Sequence, residues 1–114
     1  MALSRGRLTD EVSVVAAGTT VGLCTVANSK KVYVRSIIAH NDAHTDTVFA
    51  HVYYRPNGHS ITKDNRLFQV AIAQSETVYI EPAYPIVLET TGDELGIGCT
   101  LGSINVFVNG DREA

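Results

Sequence analysis

Apolar and polar residues alternate in short runs along most of the chain. The runs KVYVRSIIAHN (31–41) and TVFAHVYYR (47–55) are rich in β-branched and aromatic residues and have the length of strands, so we expect them to form two strands that pair. A further alternating run, EVSVVAA (11–17), ends in Gly18 and predicts an additional first strand. The remaining runs predict strands over 21–26, 67–73, 77–81, 85–90, 94–99 and 103–110. The pattern therefore predicts about eight strands.

Turn-forming residues separate these runs. Asn57-Gly58 and Gly92-Asp93 supply residues that tolerate positive φ, as tight turns require. Little of the chain is left for helices, and none of the connections has room for a helical crossover. The sequence therefore predicts an all-β fold, an antiparallel β-sandwich of jelly-roll-like kind, rather than a parallel α/β fold.

A chain of 114 residues has the length of one domain. We divide it into a short N-terminal arm, residues 1–10, and a single sandwich domain, residues 11–114. Arg5 and Arg7 lie in the arm beside Leu3 and Leu8, and its first eight residues contain no acid. We expect this segment to contribute little to the core and to become ordered on a partner.

Composition narrows the function classes. The formal net charge of -3 argues against a nucleic-acid partner, which would need a basic face. No apolar run approaches the roughly 18 residues of a membrane span, and the start lacks the apolar core of a signal peptide, so we expect synthesis in the cytoplasm and no membrane partner. Cys24 and Cys99 match no metal-binding spacing, and we expect both to be packed free thiols.

The stretch HNDAHTDT (40–47) holds two of the chain's four histidines and two aspartates. In a strand, residues four apart are separated by about 13 Å, so His40 and His44 share a metal only if the chain turns sharply. We interpret the stretch as a solvated loop between two strands, with no metal and no cofactor. A loop that gathers His40, Asp42, His44 and His51 around zinc stays open as the alternative.

Catalytic patterns are weak. Ser103 lacks the G-x-S-x-G context of a nucleophile elbow, and the glutamates near strand ends have the positions of solubilising residues. We expect no enzyme activity and assign no catalytic residue. Tyr53 and Tyr54 offer a possible aromatic platform for a sugar, but neighbouring strand residues face opposite sides of a sheet, so at least one should be in the core.

Three late and central motifs carry a resemblance to a known family. The segment RSIIAHN (35–41) leads into an Asn-containing loop, LETTGDEL (88–95) follows an L-E-x-G-D-x-I pattern with one extra Thr, and NVFVNG (105–110) precedes the C-terminus. With these motifs the chain resembles small β-sandwich structural proteins of tailed bacteriophages, over residues 19–113.

The resemblance implies a non-enzymatic virion structural protein. Since the chain is one domain without a repetitive stalk, we expect a capsid decoration, or cement, protein. Such a protein binds the outer surface of the major capsid protein lattice and stabilises the mature shell, and its location is the capsid surface of the virion. Two alternatives stay open: a head, neck or tail fibre or tail subunit of a phage, and a carbohydrate-binding β-sandwich module.

The partner-binding residues that we expect are Leu3, Arg5, Arg7 and Leu8, which offer two apolar anchors and two guanidiniums to the capsid surface. We also expect a homo-oligomer, a dimer or trimer, because a sandwich of about eight strands has exposed edges and the chain has only three lysines to guard them.

Overall fold

The computed structural model describes residues 3–8, 13–42 and 45–113. Within these residues the chain forms ten β-strands and one short 3₁₀ helix, Lys63–Asn65. The strands are β1 (Leu3–Arg7), β2 (Ser13–Ala16), β3 (Thr20–Thr25), β4 (Val32–His40), β5 (Val48–Arg55), β6 (Arg66–Ile72), β7 (Thr77–Ile80), β8 (Ile86–Leu88), β9 (Glu94–Cys99) and β10 (Ser103–Glu113). All eight strands predicted from alternation are present, and the run over 11–17 contains β2.

The strands form two antiparallel sheets. The larger sheet has the order β1-β10-β4-β7, with β2 also paired to β10 and β8 also paired to β4. The smaller sheet has the order β3-β9-β5-β6. The chain crosses from one sheet to the other at most connections, and β1 with β2, like β7 with β8, lies along one side of a single neighbour. Two layers of four strand positions connected in this way form a jelly roll, which confirms the predicted fold class.

The expected pairing of the two long runs is wrong. β4 belongs to the larger sheet and β5 to the smaller one, so the connection over residues 41–47 crosses between the layers. The partners of β5 are β6 and β9. Alternation records only which side of a strand is buried, and a hairpin and a crossover have the same alternation, so the pattern did not distinguish them.

The core lies between the two sheets. On β10, which pairs with three strands, Ile104, Val106 and Val108 face the core and are almost completely buried. The register of β10 against β4 shifts at Asn109/Gly110, a β-bulge. A Cβ atom on Gly110 would lie 2.0 Å from the carbonyl oxygen of Tyr33, so only glycine permits this close approach of two backbones.

The N-terminal segment differs from the expected arm over residues 3–8. β1 pairs with β10 from Leu3 opposite Glu113 to Arg7 opposite Asn109, as an edge strand of the larger sheet. The backbone N–H of Leu8 donates to the carbonyl of Val108 at 2.8 Å, and Leu8 is only 7% exposed. The expectation that this segment contributes little to the core is therefore wrong for Leu8. Gly6, in the middle of β1, has a φ of 145°. Because glycine has no side chain, it also interrupts the alternation of apolar and polar residues that would predict a strand.

Across residues 3–8, 13–42 and 45–113, no helix is long and apolar enough to cross a bilayer.

Candidate functional site

The outer side of the larger sheet carries two apolar rows, which Arg35 of β4 separates. The register places Phe107 of β10 opposite Ile38 of β4, and Ile38 opposite Tyr79 of β7. Val87 of β8 lies opposite Tyr33 of β4 on the same side. We call these five residues the aromatic face. Tyr79 is 65% exposed and Val87 is 38% exposed, so both side chains present apolar area to solvent. An exposed apolar sheet face of this kind is typical of an interaction surface.

Two further exposed apolar residues extend this side of the molecule. Val14 of β2 lies opposite Asn105, in the row next to Phe107, and is 65% exposed. Tyr84 is 85% exposed in the short connection between β7 and β8. β7 and β8 both pair with β4 and together form one edge of the larger sheet, so the connection that carries Tyr84 lies at that edge.

One ion pair lies within this face, between its two apolar rows. The guanidinium Nε of Arg35 donates to Oδ2 of Asp111, whose side chain is fully buried while that of Arg35 is half exposed. Because Asp111 lies opposite Tyr33 and Arg35 is two residues further along β4, the pair spans β4 and β10 diagonally. The register also places Arg5 of β1 opposite Asp111. A buried carboxylate needs a hydrogen-bonded cationic partner, and Arg35 provides one.

The four residues predicted to bind a partner have separate positions in the structure. Leu3, Arg5 and Arg7 lie in β1, at the edge of the same sheet that carries the aromatic face. Leu8 is buried against Gly110 and is not available as an anchor.

The histidine stretch is a crossover between the sheets. Nδ1 of His40, the last residue of β4, lies 2.8 Å from the hydroxyl of Thr77, and its Nε2 lies 3.4 Å from Oδ1 of Asp42. His51 is in the other sheet, and His44 lies outside the described residues. Among the residues that are described, no three His, Cys, Asp or Glu side chains are close enough to hold a metal ion.

The residue that organises this crossover is Asn41, which the sequence analysis did not single out. Asn41 is fully buried, and its Nδ2 donates to the carbonyls of Asp46 and Ile72. Its backbone N–H donates to the carbonyl of Glu76, and its own carbonyl accepts from Ser75. These bonds join the end of β4 to the smaller sheet and to the turn before β7. Asn41 therefore has a structural role.

Asp93 plays the same part at the opposite end of the sandwich. Its Oδ1 accepts from the backbone N–H of Asn57 at 2.9 Å, and its Oδ2 accepts from the N–H of Thr90 at 3.1 Å and from the hydroxyl of Tyr54 at 2.9 Å. Burial raises the pKa of the Asp93 carboxyl, but these hydrogen bonds outweigh burial, so the pKa lies below its ordinary value. Gly92, with φ of 93°, makes the turn that presents this carboxylate.

The tyrosine pair does not form a platform. The hydroxyl of Tyr54 is bonded to Asp93, whereas Tyr53 lies on the outer side of the smaller sheet, stacked beside His51 with ring centres 6.3 Å apart. The two tyrosines thus face opposite sides of β5, as predicted. Cys24 and Cys99 are buried free thiols, also as predicted.

The outer side of the smaller sheet contains a groove. Its volume is about 220 Å³, and it lies over Gly98 of β9, between Thr20 of β3 and the rings of His51 and Tyr53. Nδ1 of His51 is buried without a hydrogen-bond partner, and burial, followed by the charge of Arg66, lowers the pKa of His51. The sequence analysis missed this groove, because its residues come from four segments far apart in the chain.

Comparisons with known proteins agree with the fold. No family model matches the chain, and no curated protein matches it significantly. A structure of the Gx strain of infectious bursal disease virus matches with a TM-score of 0.49 at 14% identity, over 97% of this chain and 31% of the matched chain. A crystal structure of the viral particle of the same virus matches with a TM-score of 0.50 at 12% identity, over 97% and 30% of the two chains.

The chain thus spans about a third of the length of the chains it matches. At such low identity the likeness to the viral particle concerns the fold alone. It shows that the chain has a β-sandwich fold like one found in an icosahedral virus particle.

Proposed function

We propose that the chain is a non-enzymatic virion structural protein, a capsid decoration (cement) protein of a tailed bacteriophage. It binds the outer surface of the major capsid protein lattice and stabilises the mature shell. The likeness of its fold to that of a viral particle supports a virion role, and the sequence motifs over 35–41, 88–95 and 105–110 support the phage setting.

The aromatic face is the observation that carries the proposal. Tyr79 and Val87 expose apolar area on a sheet face. Its other members are half-buried: Tyr33, Ile38 and Phe107. Aromatic residues are enriched in the centres of protein interfaces, where their burial contributes most of the binding energy. A surface that packs on a shell combines such apolar contacts with polar ones, and Arg35, which lies between Tyr33 and Ile38 on β4, provides a cationic contact within the face.

Attachment also involves β1 at the edge of the same sheet. β1 pairs with β10 on one side, and its other side has no strand partner within the described residues. An edge strand can add to a partner by backbone hydrogen bonds, while Leu3, Arg5 and Arg7 give the contact its apolar and cationic character. In this proposal the edge of β1, rather than an arm that becomes ordered on binding, contacts the partner.

The mechanism requires no catalysis and no cofactor. If the protein binds only the expanded lattice, each bound copy stabilises that lattice by mass action, by about 2.7 kcal/mol when the free protein is at 100 times its Kd. Many copies on one shell multiply this effect. The protein is made in the host cytoplasm and is located on the capsid surface of the virion.

We further propose a homo-oligomer, a dimer or trimer. The smaller sheet has two edges, β3 and β6, and Lys30 and Lys31 precede β4, which lies inside the larger sheet. Only Lys63 lies directly beside an edge, in the turn before β6. Edges with so few guarding lysines are readily covered by another copy. Light scattering of the purified protein that shows only monomer at high micromolar concentration, with no assembly on particles, would contradict this.

Co-sedimentation with purified particles of the virus that encodes the chain tests the docking surface. We expect the intact protein to sediment in high copy number and the Tyr79→Ser, Val87→Ser double variant to bind at least tenfold more weakly. Leu101→Ser is the matched control, because Leu101 is 41% exposed but lies outside the aromatic face. Equal binding of all three proteins would show that the aromatic face is not the docking surface.

The two alternatives make different predictions. A neck or tail subunit would be confined to one end of the particle, and a head fibre would project from the shell instead of covering it. Immunolabelling in the electron microscope would show either arrangement. A carbohydrate-binding module that is not part of the virion would be absent from purified particles and would be retained on a glycan array.

A further inference from the structure

The groove on the smaller sheet is built to admit a ring-shaped ligand close to the backbone. Gly98 forms its floor, and a Cβ atom there would lie 3.3 Å from the carbonyl oxygen of Thr19. Without side chains on the floor, a ligand can approach the β9 backbone closely. The rings of His51 and Tyr53, with an angle of 17° between their planes, form one wall, and Thr20 and Thr100 lie on the other sides.

The groove has a cationic and hydroxyl-rich lining. Arg66 lies over the ring of Tyr53, with its guanidinium carbon 5.8 Å from the ring centre, and one of its N–H groups donates to Gln69 at 2.9 Å. Within the part of the chain that the structure describes, no aspartate or glutamate lines the groove, although the whole chain has a net charge of -3. This local reversal of charge favours an anionic ligand.

Size and chemistry together restrict the ligand class. The volume of about 220 Å³ is below the roughly 300 Å³ at which sites for drug-sized ligands begin, so the groove holds one small ring. Aromatic walls pack against the C–H faces of a sugar ring, threonine hydroxyls pair with its hydroxyls, and a guanidinium binds a carboxylate. A bare carboxylate would leave most of these groups without a contact.

We propose that this groove binds an acidic monosaccharide unit, a uronic or sialic acid residue of a glycan. Arg66 holds the carboxylate, Tyr53 and His51 pack on the ring, and Thr20 and Thr100 bond its hydroxyls. Burial lowers the pKa of His51, which favours the neutral imidazole as the form that packs on the sugar ring. The site needs no second copy and no capsid.

The position of the groove allows it to be used while the protein is attached to a shell. It opens on the outer side of the smaller sheet, whereas the aromatic face lies on the outer side of the larger sheet, on the other side of the core. A particle decorated through the aromatic face would therefore present the groove to the outside. The sugar site does not depend on this attachment, because it is tested on the isolated protein.

The test is a titration of the isolated protein followed by NMR chemical shifts, with glucuronic acid, N-acetylneuraminic acid, glucose and acetate as separate ligands. We expect at least one of the two acidic sugars to bind with a Kd in the millimolar range or below and to shift the signals of Gly98 and Thr100. The sugar that binds identifies the class of ligand. Glucose and acetate should each bind at least tenfold more weakly, because glucose lacks the carboxylate and acetate lacks the sugar ring.

Variants decide whether the groove is responsible. Arg66→Gln should weaken binding of the acidic sugar about tenfold or more, because a charge-assisted bond is lost. Gly98→Ala should weaken it by adding a methyl group to the floor. Lys63→Gln, which removes an exposed cation outside the groove, is the matched control and should leave binding unchanged, and thermal melting should show that all three variants fold.

Each contrary result overturns the proposal. Absence of binding by both acidic sugars, equally tight binding of acetate or glucose, or unchanged affinity in Arg66→Gln would each do so. Loss of particle binding in the aromatic-face variant with retained sugar binding would leave this site intact, so the two proposals fail separately.

Discussion

Replacement of Asp93 by Asn should reveal how much of the stability depends on one buried carboxylate. Asp93 is 3% exposed and accepts three hydrogen bonds, from Asn57, Thr90 and Tyr54. Asn keeps the size of the side chain, but its NH₂ group takes the place of Oδ2, the oxygen that accepts the hydrogen bonds from Thr90 and Tyr54. Hydrogen bonds to a charged group contribute about 1.5–3 kcal/mol each, and Tyr54 can reorient its hydroxyl. We therefore expect a loss of about 3 kcal/mol.

The loss is large enough to measure by thermal unfolding. At about 2.1 cal/mol/K per residue, the unfolding entropy of 114 residues is about 0.24 kcal/mol/K, so a loss of about 3 kcal/mol lowers the Tm by about 12 °C. Circular dichroism melts and urea titrations should give the same value. Asp64→Asn is the control, because Asp64 is exposed in the 3₁₀ turn, and it should change stability by less than about 0.5 kcal/mol.

The effect should also depend on pH. Since hydrogen bonding lowers the pKa of Asp93 in the folded state, the unfolded chain binds its proton first as the pH falls. The stability that the carboxylate contributes is complete above its ordinary value of 3.8 and is lost as the pH falls from there through the folded pKa. The difference between the native protein and Asp93→Asn should therefore shrink in that range. A Tm difference below about 2 °C at neutral pH would refute the reasoning.

Three further predictions follow from the described contacts. Leu8→Ala should cost about 2–3 kcal/mol, or about 10 °C in Tm, because Leu8 is buried, whereas Leu67→Ala at a 45% exposed position should cost little; equal melting of the two would contradict the packing of the N-terminal segment. The thiols of Cys24, whose pKa burial raises to about 11, and of Cys99, whose pKa burial also raises, should react with Ellman's reagent only as fast as the protein unfolds, and immediate reaction in the native state would oppose this. Zinc should not raise the Tm, since a structural metal would stabilise the fold by several kcal/mol; a clear shift that His44→Ala abolishes would require a metal site in the loop.

The sequence predicted the strands well because alternation directly reports one-sided burial. It missed β1, since Gly6, with its positive φ, and the neighbouring serine and arginines give no apolar alternation, and the strand is held by backbone pairing to β10. It also paired β4 with β5, because a crossover and a hairpin look alike when the connection is short. Topology depends on contacts far apart in the chain, which a single sequence does not report.

The same reason explains what the sequence revealed of the sites. Asn41 and Asp93 each stand in a motif that carried the phage resemblance, but only the structure shows that both are buried and bonded to distant backbone groups. The aromatic face is spread over four strands, so Tyr79 and Phe107 become neighbours of Ile38 only through register. Leu8 was predicted as a docking anchor because an apolar residue beside two arginines gives no sign of which strand will cover it.

Binding to purified shells of the virus that encodes the chain, in both the unexpanded and the expanded state, tests the central claim most directly. The purified protein is mixed with each kind of shell, the shells are sedimented, and the bound copies per shell are counted. The account predicts many copies on expanded shells, few on unexpanded ones, and a higher temperature of disruption for the decorated shells. Absence of the protein from both kinds of shell, with no change in the disruption temperature, would contradict a role in capsid decoration.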